Sequence, residues 1–212
     1  MPDTTFITVI RHGETAWNKE AKCQGHLDSP LTRLGVIQAK AVAKQLSGAH
    51  FDALYSSDLG RAMQTAEIIA HKLNLQIIAD ARLRERNLGI IQGLSWDEFR
   101  EKFPEEAAAY RSGGPDYVIP GGESIRQRYE RAVEFFENVA ARHPGGKIIV
   151  VTHGGIVESI FRRVLNIPLD MKRNFSLFNA GLNIFSVAGG VWRLETWGEI
   201  GRLKDIPALD DI

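Results

Sequence analysis

The sequence predicts an α/β protein, a three-layer α/β/α sandwich whose central sheet is mostly parallel and carries an antiparallel edge or hairpin. Short β-rich apolar runs alternate with segments of helical periodicity, which is typical of a parallel sheet covered by helices. Two of these runs, over residues 6–10 and 147–151, are followed closely by His-Gly. Two later runs flank Gly189-Gly190, which indicates a β-hairpin at one edge of the sheet.

The first half of the chain contains two predicted helices after its first two strands. The strand over residues 6–10 leads through a polar loop to Thr32, a residue type that favours helix N-caps. A second strand, over residues 51–56, precedes Ser57 and Asp58, either of which is expected to cap the next helix. The apolar side chains that recur at helical spacing are Val36, Ala39, Ala43 and Leu46 in the first helix, and Met63, Ala66, Ala70 and Leu73 in the second.

The middle of the chain is a connecting region that follows a short third strand over residues 75–78. Ser95 and Glu98 have the spacing of a capping box, so they predict a short helix that ends before Pro104. We expect one domain over residues 1–212, in which a cap or insert occupies about residues 85–123.

The last part of the chain returns to long regular elements. A second capping box, Ser124 with Gln127, opens a long helix, and the strand over residues 147–151 leads into another. The predicted hairpin joins runs over residues 182–187 and 191–197. The inward-facing positions of the two helices are Ile125, Tyr129, Ala132, Phe136 and Val139, then Val157, Ile160, Phe161 and Val164.

Composition excludes several classes of partner. The 26 Lys and Arg residues equal the 26 Asp and Glu residues, which argues against a nucleic-acid or membrane-surface partner. Cys23 is the single cysteine, so no intrachain disulfide can form, and a cytoplasmic location is expected. The N-terminal residues do not resemble a signal peptide, and no segment is as apolar and long as a membrane span.

Cationic and imidazole side chains follow the predicted strands. Because ligands bind beyond the carboxyl ends of parallel strands, Arg11 and His12 are expected to lie close to His153. Arg61 and Gly154 lie in the first turns of two helices, where free N–H groups bind anions. Arginines, histidines and helix N-termini together indicate a phosphoryl site. Asn18 adds a neutral donor within reach of the same loop.

Turnover also requires a nucleophile and a proton donor. A neutral imidazole can attack phosphorus and form a phosphohistidine, which divides one displacement into two easier ones. A carboxylic acid must then protonate the leaving alkoxide; Glu85 in the connecting region is the first candidate, and Glu14 is its rival. The histidines lack metal-ligand spacing, so no metal is expected.

A series of short motifs resembles one enzyme family. The motifs are Arg11-His12-Gly13-Glu14-Thr15 with Trp17-Asn18, Gln24-Gly25 with Asp28 and Pro30-Leu31-Thr32, the run from Ser56 to Ala66, Leu83 and Glu85 with Gly89 and Gly93, Pro120 to Ser124, and Val151 to Gly155. On these motifs, the stretch over about residues 6–165 is similar to the histidine phosphatase superfamily, in its phosphoglycerate mutase-like branch.

The resemblance implies a role for each candidate residue. It implies that His12 is the phosphorylated nucleophile and that Glu85 is the proton donor, which later activates water. The implied phosphate-binding residues are Arg11, Arg61, His153, Asn18, Gln24 and Gly154. No metal or cofactor is implied, since the arginines and a protonated His153 neutralise the phosphate. Lys22-Cys23 departs from the family pattern, so the substrate contacts at these two positions stay open.

Three functions are compatible with these residues. The expected one is a phosphomonoesterase that hydrolyses a small phosphorylated metabolite; the alternative is a 2,3-bisphosphoglycerate-dependent phosphoglycerate mutase. The short connecting region and the acidic residues Asp205, Asp210 and Asp211 favour the phosphatase. A non-catalytic phosphate-binding or partner-binding module is the third. The expected protein is a monomer or homodimer that binds neither nucleic acid nor membrane.

Overall fold

The computed structural model describes residues 3–203, and its centre is a six-stranded sheet. Strand order is β3-β2-β4-β1-β5-β6, in which the first four strands pair in parallel and β5 pairs antiparallel with both β1 and β6. The strands are β1 (Thr5–Arg11), β2 (Ala53–Ser56), β3 (Ile77–Ala79), β4 (Lys147–Thr152), β5 (Leu182–Ala188) and β6 (Val191–Glu199). The prediction of a mostly parallel sheet with an antiparallel hairpin at its edge is therefore confirmed.

Helices cover both faces of this sheet. The helices are α1 (Ala16–Lys19), α2 (Arg33–Leu46), α3 (Gly60–Leu73), α4 (Trp96–Lys102), α5 (Pro104–Ser112), α6 (Ile125–Arg142) and α7 (Gly154–Leu165). Side chains alternate along β1, so Ile7 and Val9 pack with α6 and α7, whereas Ile10 packs with α2 and α3. Burial on both faces explains why the central strands read as continuous apolar runs. The predicted three-layer sandwich is confirmed.

A separate small cluster supports the connecting region. In the stretch of chain between β3 and α6, Phe99 of α4 is buried together with Ile91 and Ile119, and side chains of α5 pack against them. The Ser95 and Ser124 capping boxes both form as predicted. No described helix is sufficiently long and apolar to cross a membrane.

Several details differ from the sequence predictions. Neither Ser57 nor Asp58 caps α3; the backbone N–H groups of Gly60 and Arg61 instead donate to the Asp28 carboxylate at 2.6 and 3.2 Å. A carboxylate from a distant loop thus replaces the local cap, and the same carboxylate also pairs with the Arg61 side chain.

The boundaries of other elements also move. The short strand lies over Ile77–Ala79 instead of residues 75–78. The helix α4 ends before Pro104 as predicted, and Pro104 also begins α5, where its missing N–H costs no intrahelical bond. Asp205, Asp210 and Asp211 lie outside the described residues.

Candidate active site

The register of the sheet brings the two strand-end histidines together. Strands β1 and β4 are parallel neighbours in which Arg11 pairs with Thr152, so His12 and His153 leave the sheet side by side. The His12 N–H donates to the Thr152 carbonyl at 2.8 Å. The two rings are buried, and their centroids lie 5.3 Å apart. The sequence prediction that these histidines meet is borne out by this geometry.

His12 is held as a neutral imidazole. Its Nδ1 lies 2.8 Å from the Gly13 carbonyl, to which it can only donate, so Nε2 carries the lone pair. Arg61 Nε donates to that Nε2 at 3.3 Å. Burial, together with the Arg61 and Arg11 guanidiniums, lowers the pKa of His12 well below 6.5. A neutral ring with a fixed tautomer is the form that can act as a nucleophile.

Arg61 is fixed from several sides. The side chain is 1% exposed, and it donates to the carbonyls of Leu27 and Gly25, each at 2.8 Å, and to the Asp28 carboxylate at 2.9 Å. Burial lowers the pKa of Arg61, although the Asp28 charge opposes the effect. The polar loop before α2 therefore positions this guanidinium against His12.

His153 is the N-cap residue of α7. Its Nε2 lies 2.8 Å from Ser57 Oγ, and its Nδ1 is buried with no hydrogen-bond partner. Burial, Arg61 and the adjacent His12 lower its pKa well below 6.5, so the protein alone holds it neutral. Burial among cations disfavours a further positive charge here, so the protonated His153 that neutralises bound phosphate stays a prediction for the occupied site.

Arg11 and Gly154 lie beside the histidines. Arg11 Nη1 donates to the Leu177 carbonyl, whereas its Nε is buried with no partner. Burial lowers the pKa of Arg11 to about 10, which leaves it cationic at neutral pH. A Cβ on Gly154 would lie 3.6 Å from Arg11 Nε, so the start of α7 runs close to this guanidinium.

Two predicted amide ligands also lie at the site. Asn18 Oδ1 accepts hydrogen bonds from the Thr15 backbone and from Asn179 Nδ2, so its own amino group is the part available to a ligand. Gln24 is 8% exposed, and its Oε1 is buried with no partner.

Glu85 is a half-buried residue whose carboxylate accepts hydrogen bonds from two backbone N–H groups. Its oxygens accept from Arg86 N at 2.8 Å and from Gly155 N at 2.9 Å. Burial raises the pKa of Glu85, but Arg128 and these two N–H groups outweigh burial and leave the pKa below its ordinary value. Its rival Glu14 accepts instead from the Thr32 hydroxyl at 2.6 Å and is not among the cavity-lining residues.

A second arginine positions the Glu85 backbone. Arg131 donates to the carbonyls of Arg82, Arg84 and Glu85, and it pairs with Glu123 at 2.8 Å. One guanidinium thus ties the start of the connecting region to α6.

The site residues surround a cavity of about 360 Å³. Seven of the eight predicted site residues line it, and His153 lies behind them against the His12 ring. Its charged residues are six cations and two carboxylates: Arg11, Lys22, Arg61, Arg86, Arg128 and Arg173, with Glu85 and Glu158. Within residues 3–203, no group of His, Cys, Asp or Glu side chains could hold a metal ion.

Sequence reasoning missed several of these cations. Arg86, Arg128 and Arg173 line the cavity, although none was selected from the sequence. For Arg128 a signal existed: it follows Ile125 by three positions and precedes Ala132 by four, so a charge occupies the inward stripe of α6. A buried cation on an apolar stripe indicates a partner on another element or a ligand.

Unpaired polar atoms are concentrated at this cavity. In the described part of the chain, five buried side-chain atoms lack a hydrogen-bond partner, and all belong to cavity residues or to His153. They are Arg11 Nε, Gln24 Oε1, Arg128 Nε, Arg128 Nη2 and His153 Nδ1. Because buried polar groups are normally satisfied, these atoms indicate a polar ligand.

Comparisons with known proteins agree with this geometry. The family model described as the histidine phosphatase superfamily (branch 1) matches residues 7–200. The chain is 40% identical over 207 residues to phosphoglycerate mutase-like protein 4 of Arabidopsis thaliana, covering 96% of this chain and 89% of the relative. It is 37% identical over 210 residues to a metal-independent phosphoserine phosphatase of the same plant, covering 98% and 87%.

A solved structure gives the same result. Bacillus stearothermophilus YhfR superimposes with a TM-score of 0.87 at 32% identity, covering 94% of this chain and 100% of that protein.

Proposed function

Because this chain belongs to the histidine phosphatase superfamily, we propose that it is a metal-independent phosphomonoesterase that hydrolyses a small phosphorylated metabolite through a phosphohistidine on His12. The neutral ring, its fixed tautomer and its place at a cationic cavity support this assignment. One observation carries it: within residues 3–203, every buried side-chain atom without a hydrogen-bond partner belongs to a residue that lines this cavity or to His153, whose ring lies against His12.

The first step transfers the phosphoryl group to the enzyme. His12 Nε2 forms a bond to phosphorus as the bond to the leaving oxygen breaks, and Glu85 gives its proton to that oxygen. Glu85 must therefore be protonated when substrate is bound. The negative charge of an arriving phosphate opposes the arginines, so it raises the pKa of this carboxyl toward the working range.

The second step releases phosphate. Glu85, now a carboxylate, takes a proton from water, whose oxygen attacks phosphorus while the bond to Nε2 breaks. Inorganic phosphate leaves, and both His12 and Glu85 return to their starting protonation states.

The remaining site residues bind the phosphoryl oxygens. Arg11 and Arg61 supply guanidinium donors, Asn18 supplies its amino group, and Gly154 at the N-terminus of α7 supplies its backbone N–H. Gln24 and His153 complete the set, and a bound dianion favours the protonated form of His153. Each such donor contributes on the order of 3 kcal/mol to lowering the barrier.

The wider setting follows from the same assignment. We propose one domain over residues 1–212, in which residues 85–123 form a cap that contacts the leaving group and selects the substrate. The chain acts as a monomer or homodimer. A reducing compartment, the cytoplasm, suits the lone Cys23. Neither nucleic acid nor membrane is needed as a partner.

The test is product analysis on a panel of phosphomonoesters. The purified protein should release inorganic phosphate from small metabolites without added metal, and His12→Ala should abolish the release. A Glu85→Gln variant should lose activity mainly on alkyl phosphates. Isomerisation of phosphoglycerate that requires a bisphosphate primer, without net phosphate release, would instead establish a mutase. No turnover together with tight phosphate binding would favour a binding module.

A further inference from the structure

We propose that Arg128 forms a leaving-group subsite for a second anionic group, a carboxylate or a second phosphate, on the phosphomonoester that this enzyme takes. This inference rests on the proposed function and names its substrate class. It begins with Arg128 itself, which is 6% exposed and lines the cavity.

The unpaired atoms of Arg128 have the geometry of an anion receptor. Nε and Nη2 are both buried with no hydrogen-bond partner. They form one edge of the planar guanidinium, whose parallel N–H donors fit the two oxygens of a carboxylate or phosphate. The opposite side is already used, because Nη1 lies 3.9 Å from Glu158 Oε2. The free edge is therefore the one left for a ligand.

The neighbours of Arg128 place its guanidinium group beside Glu85, on the leaving-group side of the cavity. A Cβ added to Gly155 would overlap Glu85 Oε1 and lie 2.7 Å from Arg128 Nη1, so both side chains adjoin the same backbone position. Glu85 is the proposed proton donor, and it marks where the leaving oxygen lies. Arg128 is next to Glu85, whereas Arg61 contacts His12.

The charge of the cavity agrees with a second anion. Six cations and two carboxylates line it, and a phosphoryl dianion neutralises only part of the excess. The charged residues of a second cavity are Arg86, Arg128, Arg173 and Glu158, which it shares with the first, and Arg111, Arg162, Lys172 and Asp170, which it adds. The excess of cations thus continues from the first cavity into the second. A neutral leaving group would leave this excess unpaired.

The test compares substrates that differ by one charged group. Phosphoserine and phosphoethanolamine differ by a carboxylate, as do 3-phosphoglycerate and glycerol 3-phosphate; fructose 1,6-bisphosphate and fructose 6-phosphate differ by a phosphate. We expect kcat/KM to favour the anionic member of at least one pair by about 10- to 100-fold, the range of a charge-assisted hydrogen bond. The pair that discriminates identifies the anion.

Three variants assign the preference to Arg128. Arg128→Leu should bring the ratio of kcat/KM values within that pair close to one. Arg128→Lys keeps a positive charge beside Glu85 but loses the parallel N–H donors of the guanidinium. The ratio of kcat/KM values should therefore fall, while the pH profile of kcat/KM follows that of the wild type. Arg142→Leu, at the exposed end of the same helix, is the matched control and should keep the wild-type ratio.

Binding measurements keep this result separate from the proposed chemistry. In the His12→Ala background, calorimetry should show the same preference for the anionic member of the pair, and Arg128→Leu should remove it. Equal affinity for both members of every pair would overturn the subsite, as would an equal loss for both members in Arg128→Leu, which would mean that Arg128 only supports Glu85. A protein that turns over no phosphomonoester, p-nitrophenyl phosphate included, would instead refute the proposed function, and the binding preference would still decide the subsite.

Discussion

Gly155 controls where the proposed proton donor lies, so Gly155→Ala tests the role of Glu85 without removing its carboxyl group. The added Cβ would overlap Glu85 Oε1 and lie 2.7 Å from Arg128 Nη1, whereas ordinary contact begins near 3.4 Å. The carboxylate must therefore move by about 1 Å, a displacement that can cost on the order of 100-fold in rate. That loss corresponds to about 2.7 kcal/mol in the barrier.

The assay uses two leaving groups. An alkyl phosphate needs protonation of its leaving oxygen, whereas p-nitrophenolate leaves readily without a proton. We expect kcat/KM of Gly155→Ala to fall by about 100-fold for the alkyl phosphate and by much less for p-nitrophenyl phosphate. Gly48→Ala, at a position where a Cβ meets nothing within 4 Å, is the control for folding and should match the wild type. An equal loss on both substrates, or no loss, would refute this role for Glu85.

The remaining predictions concern titration and capping. Because burial lowers the pKa values of His12 and His153 below 6.5, the unfolded chain binds more protons below that pH, so the free energy of unfolding should fall on acidification by up to about 1.4 kcal/mol per histidine per pH unit. Urea titrations from pH 7 to 5.5 should show this slope, and His12→Asn with His153→Asn should flatten it; an unchanged slope would contradict the buried neutral rings. Asp28→Ala removes the α3 cap and a partner of Arg61, so we expect about 1 kcal/mol of destabilisation, a Tm lower by roughly 2–4 °C, and a reduced kcat/KM. Asp28→Asn keeps an acceptor for the α3 N–H groups, so relative to Asp28→Ala it should restore the free energy of unfolding more than kcat/KM. Equal recovery of both quantities would contradict a role of the Asp28 charge in positioning Arg61.

The sequence predicted the parts of this site that local patterns determine. Two apolar strands ending at His12 and His153 implied a shared sheet edge, and the observed pairing of β1 with β4 confirms it. The capping boxes at Ser95 and Ser124 were readable because all of their atoms lie within four residues.

Other features depend on tertiary packing and could not be read locally. The cap of α3 comes from Asp28, more than thirty positions away, so the prediction of Ser57 or Asp58 as the cap is wrong. The neutral state of His153 follows from burial among cations, which no motif encodes. For Arg128, the position of a charge within the apolar stripe of α6 was readable from the sequence, but its two unpaired nitrogen atoms at the cavity follow only from tertiary packing.

Trapping the phosphorylated enzyme tests the central chemistry most directly. The protein is mixed with a labelled phosphomonoester, quenched within one turnover, and mapped by peptide mass spectrometry. We expect one acid-labile, base-stable phosphoryl group on His12, formed in a burst and absent from His12→Ala. A label on another residue, or hydrolysis at full rate in His12→Ala, would contradict the proposal that the His12 imidazole attacks phosphorus.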